Sequence, residues 1–150
     1  MPSGQLSRRI EVDASPSKCW VVLTDVQRVA GWVSIAHQVE EVEPLASYTV
    51  VLQDSFGPFK LHADMEVDVT DVDEERRIRF RASGADRSVG TTISVDATME
   101  LEPANGGTVL QVDGSYQVVG TVAAMGASTI NKKAETIIEE FFEAAERELT

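Results

Sequence analysis

Cysteine and histidine are scarce in this sequence, with one cysteine and two histidines in 150 residues. The lone Cys19 cannot form an intramolecular disulfide, and this usage fits a cytoplasmic protein in a reducing compartment. Cys19, His37 and His62 fall on different predicted elements, at no spacing typical of a metal-ligand set. We therefore expect no metal site, no catalytic residue and no covalently bound cofactor.

Basic residues are also few, with 13 Lys and Arg against 25 Asp and Glu, for a formal net charge of −12. Nucleic acid is not an expected partner, because its affinity rests mainly on basic side chains. The sequence has no run of eighteen apolar residues and no apolar signal core near Met1, so neither a membrane span nor a secretory signal is expected. Residues 1–150 have the composition of a single globular domain.

Two short helices are predicted after an opening strand that carries Ile10 and Val12 on one face. Ser15 is a good N-cap and Pro16 suits the first helical position, so a helix is expected to run from there to about Asp25. A second helical stretch is predicted over about 26–32.

Alternation of apolar and polar residues then predicts about six strands in hairpin succession. The clearest strand covers 59–69, and the Asn105-Gly106-Gly107 turn indicates a hairpin. After Gly120 the apolar spacing changes and predicts one long helix that ends near Leu149. One antiparallel sheet with one dry face, curled around a long helix, is an α+β domain.

Small residues crowd the region where the last helix is predicted to begin: Gly120, Ala123, Ala124, Gly126 and Ala127. One interpretation is close packing of the helix on the sheet. The other is volume left unfilled, which predicts a ligand pocket because protein interiors otherwise fill to crystal-like density.

The predicted pocket would be lined by inward-facing strand residues, by rim residues and by the start of the last helix. These are Phe59, Leu61, Met65, Phe80, Val95, Met99 and Tyr116 from the strands, Trp32, Ile35 and Phe56 near the mouth, and Ala123, Met125, Gly126 and Ile130 from the helix. The lining favours an apolar guest, with Tyr116 as the rare polar group.

An outward stripe of Arg77, Arg79 and Arg81 has two interpretations. It can pair across strands with Asp64, Glu66 and Asp68 on the preceding strand. It can also dock an acidic partner or anionic lipid headgroups.

Short motifs spread along the chain together resemble one protein family. They are Ala14-Ser15-Pro16, Cys19-Trp20, Leu23-Thr24-Asp25, Val29-Ala30, Phe56-Gly57-Pro58-Phe59-Lys60, Leu101-Glu102-Pro103, Gly106-Gly107-Thr108, Val119-Gly120-Thr121-Val122-Ala123, Met125-Gly126 and Phe141-Phe142. Their order and spacing resemble the carbon monoxide dehydrogenase G-subunit family, within the START-like, helix-grip (SRPBCC) superfamily. Two departures are Val33-Ser34-Ile35-Ala36, where the family usually has Pro-Gly, and the end of the chain at Thr150, where many members carry a longer tail implicated in membrane attachment.

The resemblance implies a helix-grip fold: a curved seven-stranded antiparallel sheet around a long C-terminal helix, with a cavity between them and two short helices after the first strand. It also implies an accessory role for a molybdenum-containing carbon monoxide dehydrogenase or a related molybdenum hydroxylase. That role would place the protein in the cytoplasm, in peripheral contact with the inner face of the cell membrane.

Three functional hypotheses follow. The first is a non-enzymatic carrier or adaptor that binds a lipid-like ligand, with an isoprenoid quinone such as menaquinone as the expected guest, and links the enzyme to membrane electron transport. The second is a recruitment or maturation adaptor with no ligand. The third is an enzyme of the cyclase or dehydratase kind, which would need an inward acid or base near the pocket.

Overall fold

The computed structural model describes residues 3–56 and 58–150, with the side chains of Phe56, Phe59 and Met125 lying outside the described part. The elements follow in this order: β1 Ser3–Val12, α1 Pro16–Leu23, α2 Val26–Ala30, β2 Ala36–Glu43, β3 Ser47–Phe56, β4 Phe59–Asp73, β5 Arg77–Asp86, β6 Thr91–Ala104, β7 Gly107–Gly120, a 3₁₀ helix Val122–Met125, and α3 Ala127–Glu148. This order confirms the predicted α+β fold.

The described strands form one seven-stranded sheet in the order β1-β7-β6-β5-β4-β3-β2. Every neighbouring pair is antiparallel. The β6–β7 connection has the predicted two-residue turn, in which Asn105 (φ 49°) and Gly106 (φ 82°) both adopt positive φ angles. A turn of this kind matches the right-handed twist of its strands, so it fixes the hairpin register.

The two short helices begin as their capping residues predict. The Ser15 hydroxyl accepts a hydrogen bond from the Lys18 amide at 3.2 Å, and the Asp25 carboxylate accepts one from the Arg28 amide at 3.3 Å. Both bonds satisfy amides that have no partner inside the helix. The two helices are shorter than predicted, ending at Leu23 and Ala30.

The prediction of one continuous helix after Gly120 is wrong at its N-terminal end. Gly126 has φ 96° and ψ 154°, a conformation essentially reserved for glycine, and it separates the 3₁₀ helix from α3. The small residues expected in the first helical turns therefore lie at the end of β7, in the 3₁₀ helix and at this break. At about 1.5 Å per residue, the 22 residues of α3 span roughly 33 Å.

The chain is tied together where its first strand meets its last helix. The amide of Ala14 donates to the carbonyl of Leu149 at 2.9 Å, and Leu149 is fully buried. Helix α3 packs along β1, so the sheet curls from β1 over the helix toward β3 and β2. The face of the sheet turned toward α3 is the inner face.

Candidate functional site: the inner face of the sheet

Two separate clusters of buried apolar residues occupy the inner face. The first cluster packs α1 and the C-terminal half of α3 on one end of the sheet and consists of Val12, Ala14, Cys19, Trp20, Val22, Leu23, Ile78, Met99, Leu101, Leu110, Phe142, Ala145 and Leu149. The second cluster packs the 3₁₀ helix and the first turn of α3 on the other end and consists of Leu61, Ala63, Met65, Ala82, Ile93, Val118, Val122 and Ile130. The described core is therefore divided, although a domain of this size usually has one contiguous core.

A row of four residues on the sheet lies between the two clusters. Phe80 pairs with Ala97, Ala97 with Gly114, and Gly114 with Leu6, across β5, β6, β7 and β1. Leu6, Phe80 and Gly114 are half-buried, whereas Ala97 is buried; Ala97 and Gly114 are small. None of the four belongs to either cluster as described.

Helix α3, which faces the sheet, also carries residues that belong to neither cluster. Between Ile130 of the second cluster and Phe141, which packs against the first, the same helix face carries Ala134 and Ile137. Both are half-buried. We call the six intervening residues the seam: Leu6, Phe80, Ala97, Gly114, Ala134 and Ile137. The seam residues are apolar or small, and all except Ala97 are half-buried.

One long side of α3 meets the sheet through polar contacts. Lys133 Nζ lies 3.0 Å from Asp54 Oδ2 on β3, and the Ser34 hydroxyl donates to Glu140 Oε1 at 3.1 Å. We call these two contacts the latches. They join α3 to β3 and to the loop before β2, the side opposite to β1. Partly exposed ion pairs are weak, so the latches add little stability to this side of the interior.

The rim on the latch side carries two of the predicted mouth residues. Trp32 is half-buried and its ring lies 5.6 Å from that of Phe141, while Ile35 is buried beside β3, where its carbonyl accepts from the Gln53 amide at 2.9 Å. At the far end, Gly126 is exposed, with open space where a side chain would project.

The predicted pocket residues are distributed unevenly. Those in or against the second cluster are Leu61, Met65, Val95, Tyr116, Ala123 and Ile130. Met99 and Trp32 belong with the first cluster, Phe80 lies in the seam, Ile35 on the rim and Gly126 at the exposed break. The side-chain predictions for Phe56, Phe59 and Met125 fall outside the described residues.

Sequence reasoning missed five of the six seam residues. The phase of β1 was visible in Ile10 and Val12, and the same even-numbered phase places Leu6 inward. Ala134 and Ile137 continue the helix stripe that contains Ile130. Gly114 and Ala97 carried no signal of their own, because small residues contribute little to an apolar pattern.

The single thiol has a structural role. Cys19 is fully buried, its Sγ lies 3.7 Å from the Ala14 carbonyl, and the Thr108 hydroxyl donates to that same carbonyl at 2.7 Å. Burial raises the pKa of Cys19, so the neutral thiol is favoured. His62 is exposed on the outer face, as predicted, and contacts Gln53 at 3.2 Å.

Asp86, which the sequence analysis did not single out, is one of the few buried charged residues. It is 4% exposed, and its carboxylate accepts hydrogen bonds from the His62 amide at 2.7 Å and from the Ser88 amide and hydroxyl at 2.9 and 2.6 Å. The bonds from Ser88 and His62 lower the pKa of Asp86. Its oxygens hold the β5–β6 turn against the start of β4.

The arginine stripe pairs with different acids from those predicted. Arg77 contacts Asp71 at 2.8 Å, while Arg79 and Arg81 both contact Asp96 on β6, at 3.4 and 3.2 Å. A β-bulge after Val69 changes the register of β4, and on β6 Asp96 lies directly opposite Arg81 and diagonal to Arg79. Burial disfavours ionisation of Asp96, but hydrogen bonds from the two arginines outweigh it and lower the pKa of its carboxyl group.

A cleft of about 580 Å³ lies at the other edge of the sheet, among β2, β3, β4 and β5. Its lining includes Glu40, Asp64 and Glu66. Three carboxylates make it a poor site for an apolar guest. The inner face is therefore the better candidate.

The described part of the chain has neither a metal-ligand cluster nor a membrane-spanning helix. Within residues 3–56 and 58–150, no three His, Cys, Asp or Glu side chains come together as a metal-ligand set. None of the helices in this range combines the length and the apolar character needed to cross a bilayer.

Comparison with known proteins gives one family and a set of similar folds. The model of the carbon monoxide dehydrogenase G-subunit (CoxG) family matches residues 9–150. No curated protein sequence matches the chain.

Three solved structures illustrate the similarity of fold. A conserved protein from Geobacillus kaustophilus has a TM-score of 0.80 at 21% identity, over 98% of this chain and 94% of that one. A START superfamily protein from Mycobacterium smegmatis has a TM-score of 0.72 at 16% identity, over 97% and 96%. The di-domain ARO/CYC StfQ from the steffimycin biosynthetic pathway has a TM-score of 0.71 at 9% identity, over 99% of this chain and 51% of that one.

Proposed function

Because the chain belongs to the CoxG family, named for the G-subunit of carbon monoxide dehydrogenase, we propose that it is a non-enzymatic accessory protein of a molybdenum-containing carbon monoxide dehydrogenase or a related molybdenum hydroxylase. In this role it binds an apolar, lipid-like ligand between α3 and the inner face of the sheet. The divided core is the observation that carries the ligand part of the proposal.

The seam supports an elongated apolar guest. Leu6, Phe80 and Ile137 are half-buried apolar side chains beside three small residues, and covering exposed apolar surface is favourable by about 25 cal/mol per Å². A ligand lying along the seam would join the two clusters into one continuous core. We therefore expect the bound protein to be more stable than the free protein.

An isoprenoid quinone is the guest we propose. Its tail is apolar, and its head is a neutral ring with two carbonyl groups that can accept hydrogen bonds. A soluble dehydrogenase cannot reach a quinone within the hydrocarbon layer, whereas a small domain in peripheral contact with the membrane could extract one. That transfer would link the enzyme to the membrane electron-transport chain.

The first test is the content of the protein purified from its native host. Organic extraction, mass spectrometry and an ultraviolet spectrum should show an isoprenoid quinone at about one per chain. A different lipid at that ratio would keep the carrier role and replace the quinone. A clean extract from a protein that also fails to bind added quinone would overturn the ligand proposal and favour an adaptor for recruitment or maturation.

The seam can be blocked by one substitution on α3. Ala134→Leu adds bulk at the seam, so retained ligand should fall at least about tenfold while the fold is kept. Ala127→Leu places the same side chain at an exposed position of the same helix and should retain ligand normally. Ligand content is measured by extraction, and folding by circular dichroism. Equal retention by the two folded variants would show that the ligand does not lie along the seam.

The enzyme hypothesis has less support from the site. A cyclase or dehydratase would need an acid or base facing the guest, and the buried Asp86 is already engaged by the amides of His62 and Ser88 and by the Ser88 hydroxyl. The similarity to StfQ, at 9% identity, concerns the fold.

A further inference from the structure

Two polar side chains from different elements meet at the inner end of β1. A methyl group on Gly4 would lie 2.5 Å from the Tyr116 hydroxyl oxygen and 2.9 Å from Asn131 Oδ1. Gly4 pairs with Tyr116 across β1 and β7, and Asn131 lies in the first turns of α3. The bare backbone of Gly4 thus leaves room for both groups on the inner face.

Neither group is engaged by the described part of the protein. Across residues 3–56 and 58–150, the side chains of Tyr116 and Asn131 make no hydrogen bond, and both are half-buried. The other tyrosine differs, because the Tyr48 hydroxyl accepts a hydrogen bond from the Leu45 amide at 2.8 Å. Both groups are therefore free to bond to water or to a ligand.

The neighbouring charges disfavour an anionic guest. Burial raises the pKa of Tyr116, and the negative charge of Glu135 raises it further, so the phenol stays a protonated hydrogen-bond donor. Lys133 on α3 contacts Asp54 at 3.0 Å and Arg8 on β1 contacts Glu139 at 3.7 Å, so both of these cations are already paired with acids. The charge that acts on Tyr116 is that of Glu135, which would repel a carboxylate.

We infer that Tyr116 and Asn131 bind the head group of the guest and select a neutral carbonyl group over a carboxylate. The phenol and the side-chain amide each donate a hydrogen bond to a carbonyl oxygen of the head group. The tail runs from there along the seam, where Leu6 and Gly114 form the next inward-facing pair of β1 and β7. This inference rests on the proposed function and specifies which lipid head the site accepts.

The test compares two probes of similar length by isothermal titration calorimetry: a naphthoquinone with a two-unit isoprenoid tail, and dodecanoate. The wild-type protein should bind the quinone at least about tenfold more tightly. Tyr116→Phe should weaken quinone binding about three- to tenfold, as expected for one lost hydrogen bond, and leave dodecanoate binding unchanged. Glu135→Gln should strengthen dodecanoate binding about threefold and leave the quinone unaffected.

Tyr48→Phe is the matched control, because it removes a hydroxyl that the chain already satisfies. It should alter quinone affinity less than about twofold. Quinone binding that is equal in wild type and a folded Tyr116→Phe protein would overturn the head-group inference and leave the carrier role intact. Equal affinities of the wild type for both probes would overturn the selectivity. Failure of the wild type to bind either probe would overturn the ligand-binding part of the proposed function and favour the adaptor.

Discussion

At the scale of single residues, the buried polar groups are explained by backbone hydrogen bonds. Asp86 accepts from the His62 and Ser88 amides and Thr108 donates to the Ala14 carbonyl, each at a place where a strand pairing ends. A buried carboxylate is tolerated only with several such donors. These residues keep the ends of the curved sheet in place around the site.

Asp86→Asn should lower the free energy of unfolding at pH 7 by about 2–3 kcal/mol, because an amide cannot accept all the hydrogen bonds that the charged carboxylate accepts. The folded-state pKa of Asp86 is lowered, so its stabilising contribution is present above the unfolded value near 3.9 and is lost as the pH falls through the folded value. The difference in unfolding free energy between the wild type and Asp86→Asn should therefore narrow below about pH 4.

Urea denaturation at several pH values measures this. The control is Asp64→Asn, whose side chain is 83% exposed, and it should change stability by less than about 0.5 kcal/mol. A difference in unfolding free energy between wild type and Asp86→Asn that stays constant down to pH 2 would contradict the lowered pKa of Asp86.

At the scale of elements, the sequence predicted what depends on local pattern. Alternation placed Leu61 and Met65 inward, and Ser15-Pro16 placed the start of α1, since both signals act within a few residues. The break at Gly126 was missed because a glycine in an apolar run is compatible with a helix until its backbone angles are known. Five of the six seam residues were missed because the seam is an interruption between two packed clusters, and no residue type in the sequence indicates such an interruption.

The latches predict how fast the guest exchanges. Asp54→Asn removes the charge that holds Lys133, so the side of α3 next to β3 should open more often, and transfer of the naphthoquinone to phosphatidylcholine vesicles should accelerate about threefold. Unfolding free energy should change by less than about 1 kcal/mol, because the pair is partly exposed. Stopped-flow transfer rates measure the effect.

Asp113→Asn is the matched control, because Asp113 bonds to Ser7 and Gln111 on β1 and β7, away from the latches. A transfer rate in Asp54→Asn equal to that in the control would show that the guest leaves by another side.

At the scale of the whole molecule, charge decides how the surface meets a membrane. The net charge is −12, and the arginine stripe is largely neutralised by Asp71 and Asp96. Pairing within the sheet thus accounts for the stripe without an external anion.

We expect no preference for anionic membranes. In co-sedimentation at low salt, binding to vesicles with about 30% phosphatidylglycerol should be no stronger than to phosphatidylcholine alone, because the −12 charge is repelled within about 10 Å of the surface. Added salt should reduce the difference in binding between the two kinds of vesicle. Stronger anionic binding that is lost in Arg79→Glu would instead make the stripe a docking surface.

The pairing of β1 with β7 also orders events during synthesis. Ser3 pairs with Gln117 and Val12 with Thr108, so β1 has no partner until about a hundred further residues of the chain have been synthesised. The sheet encloses α3 last, because the enclosure needs both β1 and the helix to be present. The guest proposed above would therefore be loaded only after synthesis, because a nascent chain has no enclosed interior in which to hold it.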